Sequence, residues 1–170
     1  MTLAASPAPS APRWLRILLI TVAALDTLVA LSSVPAIFYD YGEQTPLIAA
    51  AQTLNKAQIA VAPVLAGAAL WFAIRHDLRH AIIALATAMV VAWITELPSI
   101  AIHGLELSAD LPGVFLFARR LIYPVLAIAA IVLAAKNRRL PLAGVFVSVP
   151  TVLGIVSTLL LAGAVMIWGF

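Results

Sequence analysis

The chain of 170 residues has no cysteine. That absence removes disulfides, thiolate metal sites and cysteine nucleophiles from consideration. Charge is scarce too. Asp, Glu, Lys and Arg make up 10% of the residues, where soluble domains carry about 25%. No Gly-rich phosphate loop and no Gly-x-Ser-x-Gly elbow occurs. Carboxylate pairs spaced for hydrolysis are missing as well. The sequence therefore points to no cofactor and gives no positive sign of an enzyme.

What fills the chain is apolar. Hydrophobic residues account for 64% of it, and the mean hydropathy is +1.11. A small soluble domain buries only about 70% of the surface its unfolded chain exposes, so no soluble fold of this size hides so much. Lipid is the solvent that suits this composition. The formal charge is +3 and the pI is near 9.8, which raises the question of nucleic acid. A nucleic-acid footprint gathers Lys and Arg on one face. Here they stand in twos and threes at the ends of apolar runs, the pattern that orients a membrane protein. No nucleic-acid partner is read from them.

Residues 1–12 are small and Pro-rich and are expected to be a disordered tail. The stretch Arg13 to Leu31 resembles a signal peptide, but its apolar run exceeds the usual 7–15 residues and contains Asp26. It is read as retained. A spanning helix takes about 20 apolar residues, and five stretches qualify: about 14–38, 55–75, 80–103, 113–135 and 141–168. The segment Pro46 to Ala51 could add a short interfacial helix. The predicted fold is all-α, a single domain over 13–170 that bundles five transmembrane helices. It is a multi-pass membrane protein, of the inner membrane if bacterial.

Arg13 and Arg16, Arg75 and Arg79, and Lys136, Arg138 and Arg139 fall on one side of this layout. Asp40, Glu43, Glu106 and Asp110 fall on the other. The positive-inside rule puts the N-terminus in the cytoplasm and the C-terminus outside. An internal repeat is expected as well. Pro63-Val64-Leu65-Ala66 in the second span returns as Pro124-Val125-Leu126-Ala127 in the fourth. Pro35, Ile37 and Glu43 match Pro98, Ile100 and Glu106 at nearly the same offset. Two hairpins of like orientation plus a fifth helix would form a parallel repeat.

Ionisable residues within spans are functional candidates. Glu96 follows Ala84, Ala88 and Ala92 at steps of four, so it should point into the bundle along a small-residue stripe. Arg119 or Arg120 on the fourth span would neutralise it. Lys56 sits near the same level, and Asn55, His103 and Tyr123 gather there with Ser33, Gln52, Gln58, Thr95 and Ser99. Pro35, Pro98 and Pro124 free backbone carbonyls nearby. Two readings stand. One is a polar pocket opening to the outer face, between the second, third and fourth spans. The other is a structural ion pair with snorkelling cations. Asp26, near mid-membrane, suits either a buried proton site or a hydrogen bond between helices. His76 and His80 have metal-ligand spacing, but only Asp77 stands by as a third ligand, so a solvated turn is expected and no metal.

Three functions follow. A small carrier or ligand-binding protein would use the pocket, with a homodimer supplying a complete path and an anionic solute or lipid headgroup suiting the cations. An accessory or scaffold subunit of a larger membrane complex would use the Gly154, Thr158, Ala162 stripe of the fifth span for docking. An outer-leaflet enzyme would use Glu96 and His103 as acid and base, at a spacing common by chance. The first is preferred.

Overall fold

The computed structural model describes residues 12–39, 45–104 and 111–168. The tail 1–11, Asp40, Glu43, Glu106 and Asp110 lie outside the described residues, as do the side chains of His103 and Arg119. The chain forms helices α1 (Arg13–Ser33), α2 (Pro46–Ile74), α3 (Leu78–Ile94), α4 (Leu97–His103), α5 (Leu111–Ala135) and α6 (Leu140–Trp168). A 3-10 turn, Val34–Phe38, continues α1. Among the described residues there is no strand.

Among the described residues, four stretches are long and apolar enough to cross a membrane: Arg13–Phe38, Ile48–Ile74, Leu78–Ala101 and Leu140–Leu160. Arg120–Ala135 is a shorter apolar helix. Their outer faces carry Ile17, Val64, Val125, Leu159 and Leu160, all at least half exposed. In water such a surface would aggregate; against lipid it is matched to its solvent. Helices also satisfy their own backbone, which lipid requires. Hydroxyls follow the same rule. Thr27 donates to the Ala23 carbonyl at 2.6 Å, Thr87 to Ile83 at 2.8 Å and Ser148 to Gly144 at 2.7 Å.

Two boundaries differ from the expectation. The segment from Pro46 is not a separate interfacial helix but the first turns of α2. Proline suits a first helical turn, and the Ala-rich run behind it propagates without a breaker. The third span, conversely, is interrupted. Pro98 has no N–H for the Ile94 carbonyl, so α3 stops at Ile94 and α4 resumes at Leu97.

The long helices close a ring. α1 packs on α2, α2 on α3, α3 on α5, α5 on α6, and α6 returns to α1. The α6–α1 contact is close because Gly144 lies against the Leu15 side chain, where a Cβ would collide. The fifth long helix is therefore part of the bundle wall.

One end of the ring is tightly packed. Leu15, Leu19, Ile82, Leu85 and Val147 are fully buried there among alanines of every wall. Lipid offers no hydrophobic drive between helices, so small residues that permit close packing hold this end. The same end carries the basic turns. Arg16 donates from Nη2 to the Ile74 carbonyl at 3.0 Å and from Nε to Ala73 at 3.4 Å. These bonds cap the C-terminus of α2, where the helix dipole favours a cation. Arg75 lies over the Trp71 ring at 4.2 Å. Asp77 caps α3 by accepting the His80 amide at 3.3 Å, and its other oxygen meets His80 Nδ1 at 2.6 Å.

Burial follows a repeating register. Leu15, Leu19, Val22 and Ala23 of α1 are buried, and so are Leu78, Ile82, Leu85 and Ala86, each 63 positions later on α3. Ala66, Ala69 and Ala73 of α2 are buried, and so are Ala127, Ala130 and Ala134, each 61 positions later on α5. The helix ends agree. The Asp77 amide reaches the Phe72 carbonyl and the His76 amide reaches Ala73, while Arg138 reaches Leu133 and Asn137 reaches Ala134. Both are six-to-one, five-to-two C-caps, with His76 (φ 66°) and Asn137 (φ 49°) in the left-handed region.

Candidate functional site

Away from the packed end, the bundle holds a cavity of about 550 Å³ walled by α1, α2, α3 and α6. Asp26, Val29, Ala30 and Ser33 line it from α1, and Asn55, Gln58, Ile59, Ala62 and Ala66 from α2. Leu85, Ala88, Met89 and Ala92 come from α3, and Val147, Pro150 and Thr151 from α6. Among the described residues, Asp26 is the one ionisable group in this lining. Its Oδ1 accepts the Thr151 hydroxyl at 2.9 Å. The floor is set where the packed core begins, at Ala66, Leu85 and Val147. Ser33 and Asn55 belong to the opposite level, near the C-terminal end of α1 and the early turns of α2.

Depth explains the Asp26–Thr151 contact. Both α1 and α6 run away from the basic turns. Asp26 lies thirteen residues into α1 and Thr151 eleven into α6, roughly 20 and 17 Å along parallel helices. A carboxyl group among apolar walls needs such a donor.

A second polar cluster stands on the other side of α3. Arg120 of α5 is 7% exposed and Glu96 is 17% exposed, with Arg120 Nε and Glu96 Oε2 4.0 Å apart. Nη2 donates to Ser99 Oγ at 2.9 Å and Nη1 to the Gly104 carbonyl at 3.3 Å. Nε makes no hydrogen bond, so it faces Glu96 by charge alone. Gly104 can present its carbonyl because its backbone sits at φ 70°, ψ −168°, a region open essentially only to glycine. The Arg120 carbonyl would ordinarily accept from residue 124. That residue is Pro124, and the Trp93 indole N–H takes its place at 2.8 Å. Arg120 thus ties α3, α4 and α5 together.

The predicted site residues divide between these places. Asp26 and Asn55 line the cavity, joined by Ser33 and Gln58. Glu96 and Arg120 meet each other and are not among the cavity lining. The stripe of Ala88 and Ala92 faces the cavity, whereas Glu96, past the end of α3, turns to Arg120. Tyr123 is half-buried on α5. Lys56 is half-buried one position on from Asn55, about 100° around α2. Arg119 and His103 have no described side chain. This cavity shares the second and third spans, α2 and α3, with the location the sequence gave the pocket, and its described lining includes no residue of the fourth, α5. Two of its walls, α1 and α6, were not foreseen there. The overlooked residues are Thr151 and Pro150, and a depth match between parallel helices is the signal that could have found them. Comparison with protein families, with curated proteins and with solved structures gives no match for this chain.

Proposed function

We propose that this chain is a five-span membrane protein that binds a small solute in the cavity between α1, α2, α3 and α6. The solute enters from the face opposite the basic turns. α5, the fourth span in chain order, is read as crossing too, since its 25 residues extend about 37 Å against a hydrocarbon core of about 30 Å. The positive-inside rule makes the basic end cytoplasmic, so the cavity belongs to the outer half.

A duplicated hairpin underlies this arrangement. Support comes from the matched burial registers, the paired C-caps and the prolines at 35 and 98 and at 63 and 124. Under the same registers, Ala30 of the first half corresponds to Trp93 of the second, Ser33 to Glu96, and Ile59 to Arg120. The second half fills with an indole and an ion pair the space that small residues leave open in the first. The cavity is then the vacated counterpart of the Trp93–Glu96–Arg120 plug.

The observation that carries the reading is the cavity itself. It combines a volume within the range of small-molecule sites, about 300–1,000 Å³, with a few polar groups on otherwise apolar walls. One chain supplies all of these walls, so binding requires no second copy. Because the chain lacks cysteine, Ala62→Cys would carry the sole thiol. In oriented vesicles, an impermeant methanethiosulfonate reagent should label it from the face opposite the basic turns. Ala69→Cys, in the packed end, should stay unlabelled. An inert thiol at position 62 would remove the proposal.

A further inference from the structure

We propose that the solute is an organic cation with an apolar body, its charged head held by Asp26 about one helical turn above the floor of the cavity. This rests on the solute-binding reading above and adds the charge of the ligand. Asp26 is the sole ionisable group in the described lining, and no Lys, Arg or His joins it. A cation entering from water loses hydration, which a carboxylate in a poorly solvated site replaces. An anion would lose its hydration and gain a repulsion.

The remaining lining suits the same ligand. Asn55 and Gln58 offer amide oxygens, and Met89 gives a polarizable wall for an apolar or aromatic body. Ile59, also on the wall, stands four residues before Pro63. Its carbonyl therefore lacks a helical amide donor. In the corresponding position of the second half, the freed carbonyl of Arg120 is taken by Trp93; across the cavity stands Ala30, which has no donor to offer. Every polar group that the cavity adds to Asp26 and Thr151 can act as an acceptor. Of the cations that suited an anionic solute, Arg120 is engaged with Ser99, Gly104 and Glu96, and neither it nor Lys56 is among the described lining.

The test uses the Ala62→Cys protein in dodecylmaltoside micelles, the neutral reagent methyl methanethiosulfonate, and two probes of like shape and opposite charge. These are tetraphenylphosphonium and tetraphenylborate. Each is titrated for protection of the introduced thiol, in this background and with Asp26→Asn added, so that micelle partitioning cancels. Loss of the carboxylate should raise the half-protective concentration of the phosphonium about tenfold or more, and should not raise that of the borate. Ala88→Lys, which adds a cation to the same cavity, should act in the same sense and serves if Asp26→Asn does not fold. An unchanged phosphonium-to-borate ratio in these variants would overturn the inference. So would a reactive thiol that neither probe protects; both of these results would leave the solute-binding reading standing. A thiol that never reacts would remove that reading and the cation with it.

Discussion

Arg120 shows how one buried charge is managed in this bundle. Its guanidinium is shared among a hydroxyl, a carbonyl and a carboxylate, all from α4 and its two caps. Removing one partner of a buried pair leaves an uncompensated charge, which costs about 3–5 kcal/mol when burial is complete. Glu96 retains some exposure and stands at 4.0 Å, so Glu96→Gln should cost less, about 1–3 kcal/mol. Thermal unfolding in micelles reads this. Arg120→Met should cost a similar amount, and the double variant should cost less than the two singles summed. Additive losses would mean that the pair is not coupled.

A second residue-scale prediction concerns the left-handed caps. His76 adopts φ 66° without the tolerance of glycine or asparagine. His76→Gly should therefore stabilise the protein by about 1 kcal/mol, while Asn137→Gly at the matching cap should be close to neutral. Unfolding midpoints of the two variants side by side decide the matter. Equal shifts would argue that histidine is no more strained there than asparagine.

Among elements, the approach of α1 to α6 is the contact the ring depends on. Gly144 leaves no room for a methyl group beside Leu15, which is itself fully buried and cannot swing aside into lipid. Gly144→Ala should cost about 1–3 kcal/mol by overpacking. It should also loosen the Asp26–Thr151 contact further along the same helix pair. A variant with an unchanged unfolding midpoint would show that the two helices have slack at this level. Gly154 and Gly163 of α6, by contrast, have open space around them, so their substitution should be felt far less.

The α3–α4 interruption belongs to this scale too. Proline at position 98 and the carbonyl it frees were legible in the sequence, but the break between α3 and α4 was not foreseen within the third span. That break separates two helices and lets Glu96 leave the face of Ala88 and Ala92. The α2 start shows the opposite error. Polar residues Gln52, Thr53 and Asn55 look like a boundary in a hydropathy profile, yet they are ordinary helix residues within α2. Hydropathy marks where a helix meets lipid, not where its hydrogen bonds begin.

At the level of the whole molecule, one end is packed and the other is hollow. Under the proposed duplication, the hollow is the first half's version of a plug present in the second. Ala30→Trp, made in the Ala62→Cys protein, should test this directly. An indole at that position should fill the cavity and reach toward the Ile59 carbonyl, as Trp93 does for Arg120. The thiol at position 62 should then react with methyl methanethiosulfonate at least about tenfold more slowly, without loss of the folded state by circular dichroism. Full reactivity beside the new indole would break the proposed correspondence between the halves.

The amino-acid sequence by itself determined the solvent and the secondary structure. Runs of about 20 apolar residues leave no alternative to helices in lipid, because each backbone group has to be satisfied within its own segment. It also located the charged positions Asp26, Glu96 and Arg120. Only the tertiary structure decided which of them face one another. That depends on which helices close the ring, and lipid gives no hydrophobic force to make the choice. Close approach makes it: Gly144 against Leu15 brings α6 to α1, so that Asp26 meets Thr151 and the cavity opens among four helices. A steric fit between two small surfaces leaves no periodic signal along the chain.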